Sequence, residues 1–253
     1  MPDPSLQGLD QLKISAVVRD RLAEFATQLI GFYQQDLVSI AVFGSAVSGD
    51  YSEKISDLNL LVVYTDLNIA NLEAVASLAQ RWLKKQRFMP RFLSHRNLAN
   101  SARYFQIDLL DMRDAHVTIF GEDVLDCLEL RPADLRWQLA HEIKRMRMRL
   151  KQQFWRAAGD QETMRLILVR RFTSLVHLTR ALLVLRGQSP PLLLHEILAL
   201  AVRELGVNAQ FAAQMADLKA GRIALRKEQF IGAFSRLMDA VRTIDEHVDR
   251  LVI

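Results

Sequence analysis

The chain has a single cysteine, Cys127, among 253 residues. An internal disulfide framework is therefore excluded, and a reducing cytoplasm is the expected setting. No uncharged apolar run approaches the roughly 18 to 20 residues that a bilayer-spanning helix needs, so no membrane partner is expected. The start, MPDPSLQGLD, has no basic segment leading into an apolar one, and no signal peptide is expected. The six histidines are scattered, and none stands at zinc-ligand spacing with a cysteine. Also missing are an internal repeat, a low-complexity segment, a Walker loop, a dinucleotide fingerprint and a readable Ser-His-Asp arrangement.

What is present is ordinary globular composition, half hydrophobic and a quarter charged, in a chain long enough for one large domain or two modest ones. The net charge of +4 hides two halves of opposite sign. Residues 1–126 carry 12 basic and 16 acidic side chains, and residues 127–253 carry 21 basic and 13 acidic ones. A break of this kind suggests two domains, at 1–126 and 127–253, with the boundary near residues 121–132.

The hydrophobic pattern changes at the same place. Residues 10–34 place Leu12, Val18, Leu22, Phe25 and Leu29 close to a helical stripe. DLVSIAVFG and DLNLLVVY read as strands, the second rich enough in leucine and valine to be an inner one. A helix is expected over 69–86, ending in the basic Arg81, Lys84 and Lys85. PRFLS reads as a short strand opened by Pro90 and followed by a polar helical turn, YFQIDLLDM as a further strand, and VTIFG as an edge strand. From Pro132, well placed as the first residue of a helix, only helical periodicity remains, over 132–157, 161–186, 191–205, 208–218 and 228–252. The breaks AAGD, GQSPP, LGVN and KAGR are turn signals. The expected fold class is α+β: a small mixed sheet with flanking helices, then an all-α bundle.

The stretch FGSAVSGDYSEKISDLNLL, residues 43–61, carries the chemistry. Side chains alternate along a strand, so Asp57 and Asn59 project from one face while Leu58, Leu60 and Val62 point the other way. Two oxygen donors at a strand start could share a hard divalent cation. Gly44 lets backbone approach a phosphate closely, and Ser45 offers a hydroxyl and an N–H.

Gly44-Ser45, a spacer, then Asp57-Leu58-Asn59-Leu60 resembles the signature of the DNA polymerase beta-like nucleotidyltransferase superfamily. The resemblance covers roughly residues 38–125, and DAHVTIFGED resembles the matching segment of small bacterial members. It implies a nucleotidyltransferase-like sheet and a third carboxylate on a later strand. Asp108 in FQIDLLDM is the better match for that role, and Asp111 the runner-up. It also implies two magnesium (or manganese) ions held by Asp57, Asn59 and Asp108, with Asp57 bridging them and Asp108 accepting the nucleophile's proton. Gly44 and Ser45 would then bind the phosphates of a nucleoside triphosphate whose nucleoside monophosphate passes to a hydroxyl acceptor.

Asn59 departs from the pattern. An amide oxygen can ligate magnesium but brings no negative charge, so the expected metal pair is weakened, or reduced to one ion. The alternative to an enzyme is a degenerate nucleotide-binding or regulatory module of the antitoxin-like kind. The helical half resembles, loosely, the bundles that accompany such domains, including the HEPN type, and a bundle this apolar could form a homodimer.

HEIKRMRMRLKQQFWR, residues 141–156, carries six basic groups beside a buried stripe of Ile143, Met146, Leu150 and Phe154. A solvated helix face is the plainer reading, and a wall for triphosphate or RNA the sharper one. Arg171 to His177 and Arg136 to His141 superficially match the Arg-x(4–6)-His signature of HEPN ribonucleases. Such spacings are common in arginine-rich helices, and His177 reads as packed among Leu175, Val176 and Leu178. The amphipathic helix near the start reads as a docked helix rather than a membrane one.

Overall fold

The computed structural model describes residues 6–53, 56–66, 73, 76, 82, 87–157 and 159–251. They form two compact units, Met1–Leu130 and Arg131–Ile253.

The first unit is built on four strands: β1 (Leu37–Phe43), β2 (Leu58–Tyr64), β3 (Phe88–Ser94) and β4 (His116–Gly121). Their order is β3-β2-β1-β4. β1 is antiparallel to both β2 and β4, while β3 is parallel to β2, which makes the sheet mixed. Helix α1 (Ala16–Tyr33) covers one face. Its Leu22, Phe25, Ala26 and Leu29 share a core with Ile40, Val42, Leu58, Leu60, Val62 and Tyr64. The short helix α2 (Ser45–Ser48) follows β1. On the opposite face Ala41, Phe43, Leu61 and Val63 share a core with Leu98 of α3 (His95–Ala102) and with Leu109 and Met112 of α4 (Gln106–Asp114). Both faces are thus covered, which is why β1 and β2 read as nearly unbroken apolar runs.

Two readings change, and a third falls mostly outside the described residues. YFQIDLLDM is not a strand, because residues 106–114 form helix α4. The segment puts Leu109 and Leu110 side by side, which breaks strict alternation, and spaces Ile107 from Leu110 and Leu109 from Met112 by three residues. Only Ile107 in it is β-branched, and leucine, methionine and glutamine favour helix. Strand β3 begins at Phe88, two residues ahead of Pro90. It is an edge strand, where a proline without an N–H is tolerated. The helix expected over 69–86 lies almost wholly outside the described residues. Of it, Glu73, Ala76 and Trp82 are helical, and Trp82 stacks on Phe88 with ring centroids 5.6 Å apart.

The second unit is all helix: α5 (Pro132–Arg156), α6 (Gln161–Leu185), α7 (Leu194–Leu205), α8 (Ala209–Lys219) and α9 (Lys227–Asp249). The breaks carry the local chemistry that stops helices. Asp160 accepts from the Glu162 N–H to start α6, and Asn208 accepts from the Phe211 N–H at 2.8 Å to start α8. Lys144 of α5 bonds Asp245 and Asp249, and Phe154 meets Phe234, so α5 and α9 run antiparallel. Among the described residues no helix is long and apolar enough to cross a membrane.

Candidate functional site

The turn after β1 is set by backbone conformation. Gly44 has φ 79° and ψ −139°, a region open in practice to glycine alone. Its N–H donates to the Ala115 carbonyl at 2.9 Å, and its own carbonyl accepts from the N–H groups of Val47 and Ser48, each at 2.9 Å. The next residue, Ser45, opens α2. With only four residues that helix has little dipole to offer an anion.

β2 begins just beside this turn, with Asn59 opposite Phe43 in the register. The Asn59 amide packs over Gly44, and a Cβ at position 44 would lie 3.3 Å from its Nδ2. Leu61 and Val63 lie in the core of one sheet face, Leu58, Leu60 and Val62 in that of the other, and positions 57 and 59 fall on the same face as Leu61 and Val63.

The two candidate carboxylates are each engaged by an arginine. Arg87 donates through Nε to Asp57 Oδ1 at 2.9 Å. Arg91 donates through Nη1 to Asp108 Oδ1 at 2.8 Å. The Arg91 guanidinium also lies 5.5 Å from the centroid of Phe43, the residue before Gly44. In the register β3 sets Phe88 beside Leu58 and Arg91 beside Leu61, so the two arginine Cα atoms are four residues apart, about 13 Å along a strand. All four side chains are roughly half exposed, between 44 and 51%. At that exposure each pair contributes about 0–1 kcal/mol.

Asp108 itself stands in the first turn of α4, not on a strand. A carboxylate there is stabilised by the positive end of the helix. Its place therefore has a structural explanation as well as a functional one.

The donor set is short of negative charge for a pair of divalent cations. Asp57 and Asp108 are held by separate guanidinium groups, the donor at 59 is a neutral amide, and Asp108 arrives on a helix. Among the described residues no three histidine, cysteine, aspartate or glutamate side chains come together as a metal cluster.

Sequence reasoning missed Arg87, Arg91 and Tyr51. Burial pushes the Tyr51 hydroxyl above its ordinary pKa; Glu53 and Asp57 add to this and Arg87 opposes it, which puts the phenol within electrostatic reach of the Asp57–Arg87 pair. No short motif marks these residues. The parallel register of β3 beside β2 is what brings Arg87 level with Asp57, and register was not legible.

A second polar cluster lies at the start of β4. His116 Nδ1 is 2.7 Å from the Arg113 carbonyl, and Nε2 is 3.0 Å from both Asp123 oxygens. Both ring nitrogens face oxygen acceptors, so neither is left to act on a ligand. Asp123 Oδ1 also accepts from the N–H groups of Leu125 and Asp126 at 3.2 Å. Partial burial raises the Asp123 pKa, but the His116 contact and these N–H bonds outweigh it and hold the carboxyl below its usual range. The cluster pins the chain after β4.

In the basic helix, Ile143, Met146 and Leu150 are buried as the stripe requires. Lys144 and Arg147 bond the buried Asp245, and Arg145 bonds Glu142 at 3.2 Å. Half the cations thus serve packing within the unit, which favours the plainer reading. In the HEPN-like pairs, Arg171 donates to Gln153, Arg136 donates to the Leu251 carbonyl, and His141 stacks on Trp137. His177 is exposed, because position 177 faces outward while Leu175, Val176 and Leu178 face the core.

No known family model matches the sequence, and no curated protein matches it either. By backbone the chain is similar to spectinomycin adenyltransferase AAD(9) from Enterococcus faecialis, solved with ATP and spectinomycin. The TM-score is 0.61 at 13% identity, over 88% of this chain and 99% of that one. The likeness shows the fold: a nucleotidyltransferase-like mixed sheet with flanking helices, followed by helices alone.

Proposed function

We propose that this chain binds a nucleoside triphosphate at the Gly44–Ser45 turn, and that its transfer of nucleoside monophosphate to a hydroxyl acceptor is slow or absent. The observation that carries the reading is the separate engagement of Asp57 by Arg87 and of Asp108 by Arg91, with a neutral Asn59 beside Gly44. The ligand class is supported by the fold likeness to a protein solved with ATP and by the Gly-Ser signature. Gly44 would allow close approach of a phosphate, and Ser45 would donate its hydroxyl and N–H to it.

A magnesium or manganese ion would have to take both carboxylates from their arginines, with only an amide between them. A protein of this kind serves as a sensor or binding module, in the antitoxin-like manner, rather than as an efficient transferase.

One observation favours a second reading, an active enzyme. Both ion pairs are half exposed, so a ligand could open them at small cost. The acceptor would then be a hydroxyl on a small molecule, a protein or an RNA.

Calorimetric titration with ATP, GTP, CTP and UTP tests binding, and transfer of label from an α-labelled triphosphate tests catalysis. Binding without transfer, and transfer appearing in Asn59→Asp, is the expected pair of results. Binding of none of the four sinks the proposal. Transfer by the natural chain that disappears in Asp57→Ala establishes the second reading instead.

A further inference from the structure

We infer that the site takes the triphosphate as a metal-free polyanion, with Arg87 and Arg91 leaving Asp57 and Asp108 to bind its phosphates in the place of divalent cations. The inference rests on the reading that a nucleotide binds beside Gly44.

The charges at the site argue for it. The two aspartates and two arginines sum to zero, because each carboxylate already has its cation. A divalent ion entering this group would meet two guanidinium groups and would free them beside itself. A polyphosphate likewise frees two carboxylates beside itself, but the guanidinium groups it gains are held only in half-exposed and therefore weak pairs, and its several anionic oxygens can engage both. Guanidinium also binds phosphate with two parallel hydrogen bonds, a geometry for which it is better suited than a point charge.

Position agrees with charge. Arg91 reaches back along β3 to lie over the ring of Phe43, one residue from the Gly44 turn. Arg87 stands level with Asp57 at the end of the sheet, where its carbonyl accepts from the Leu58 N–H at 3.0 Å. Its φ of 54° is an uncommon conformation for a residue with a side chain. Strain of this sort persists where the surroundings over-determine it, and sites of function are where it gathers. α2, only four residues long, offers an anion little by itself, and Lys13, whose Nζ donates to the Ser48 carbonyl at 3.2 Å, is a further cation beside the turn.

The test is titration of the full-length chain with ATP and with inorganic tripolyphosphate, in EDTA and again in excess magnesium. Both probes should bind in EDTA, with a dissociation constant for ATP within about threefold of that in magnesium. Arg87→Gln with Arg91→Gln should weaken ATP binding in EDTA by at least tenfold, while Arg87→Lys with Arg91→Lys keeps part of it. Far-ultraviolet circular dichroism and thermal melts establish that both double variants fold, as expected for residues in half-exposed pairs.

If ATP binds only with magnesium, and as well to the Gln variant as to the parent, the inference is overturned while the nucleotide reading stands. If ATP binds in neither buffer, the nucleotide reading fails and this inference falls with it.

Discussion

Gly44 and Gly31 lie in the same unit and should respond to alanine with opposite signs. At Gly44 the backbone has φ 79° and ψ −139°. Holding a residue with a side chain in such a region costs about 1–3 kcal/mol. The added methyl would also sit 3.3 Å from Asn59 Nδ2, a tight contact that the amide can relieve by a small rotation. Against this, alanine narrows the unfolded ensemble, which returns about 0.4–1 kcal/mol. With the tight contact added, the net loss should be about 0.5–2.5 kcal/mol. Gly31 lies inside α1, exposed, with nothing within 4 Å of an added Cβ. There Gly31→Ala should stabilise by about 0.5–1 kcal/mol. In a chain of this size 1 kcal/mol moves the melting temperature by about 2–4 °C, so Gly44→Ala should melt about 1–10 °C lower and Gly31→Ala a few degrees higher. Differential scanning calorimetry of the two variants and the parent reads both shifts. A Gly44→Ala protein as stable as the parent would refute the strained turn, and with it the close approach of phosphate argued from that turn.

Two further outcomes follow from the ion pairs. Asp123 has its folded pKa below the unfolded value, so its contribution is present above about pH 4 and is lost as pH falls through the folded value. With the side chain 45% exposed, Asp123→Asn should cost only about 0.5–1 kcal/mol near neutral pH, a difference that closes in melts run below pH 4. A gap that persists or widens in acid would contradict this. Asp245 is 1% exposed and is held by Lys144 and Arg147, which are themselves half exposed. Replacing both cations by methionine strands a buried carboxylate and should cost about 3–5 kcal/mol in urea unfolding. Asp245→Asn leaves two cations that water can reach and should cost clearly less. Equal losses would show that burial of Asp245 is not what sets the energy.

The sequence was sufficient for whatever depends on neighbours along the chain. The α+β class, strands β1, β2 and β4, and the bundle helices followed from periodicity, because α1, the two inner strands and α5–α9 bury the side chains that their patterns mark as apolar. The Gly-Ser turn was readable for the same reason: it needs only a strand to end at Gly44, with φ 79°. YFQIDLLDM was misread because so short a segment shows its three-residue spacing only twice, and its adjacent leucines also suit a buried strand. The partners of Asp57 and Asp108 were beyond reach for a different reason. They are 30 and 17 residues distant, just before and on a strand whose parallel register no local pattern states. Local chemistry therefore settled which groups could serve as ligands. Tertiary pairing decided that each carboxylate meets a guanidinium, because a strand brings its whole row of side chains with it once its register is chosen.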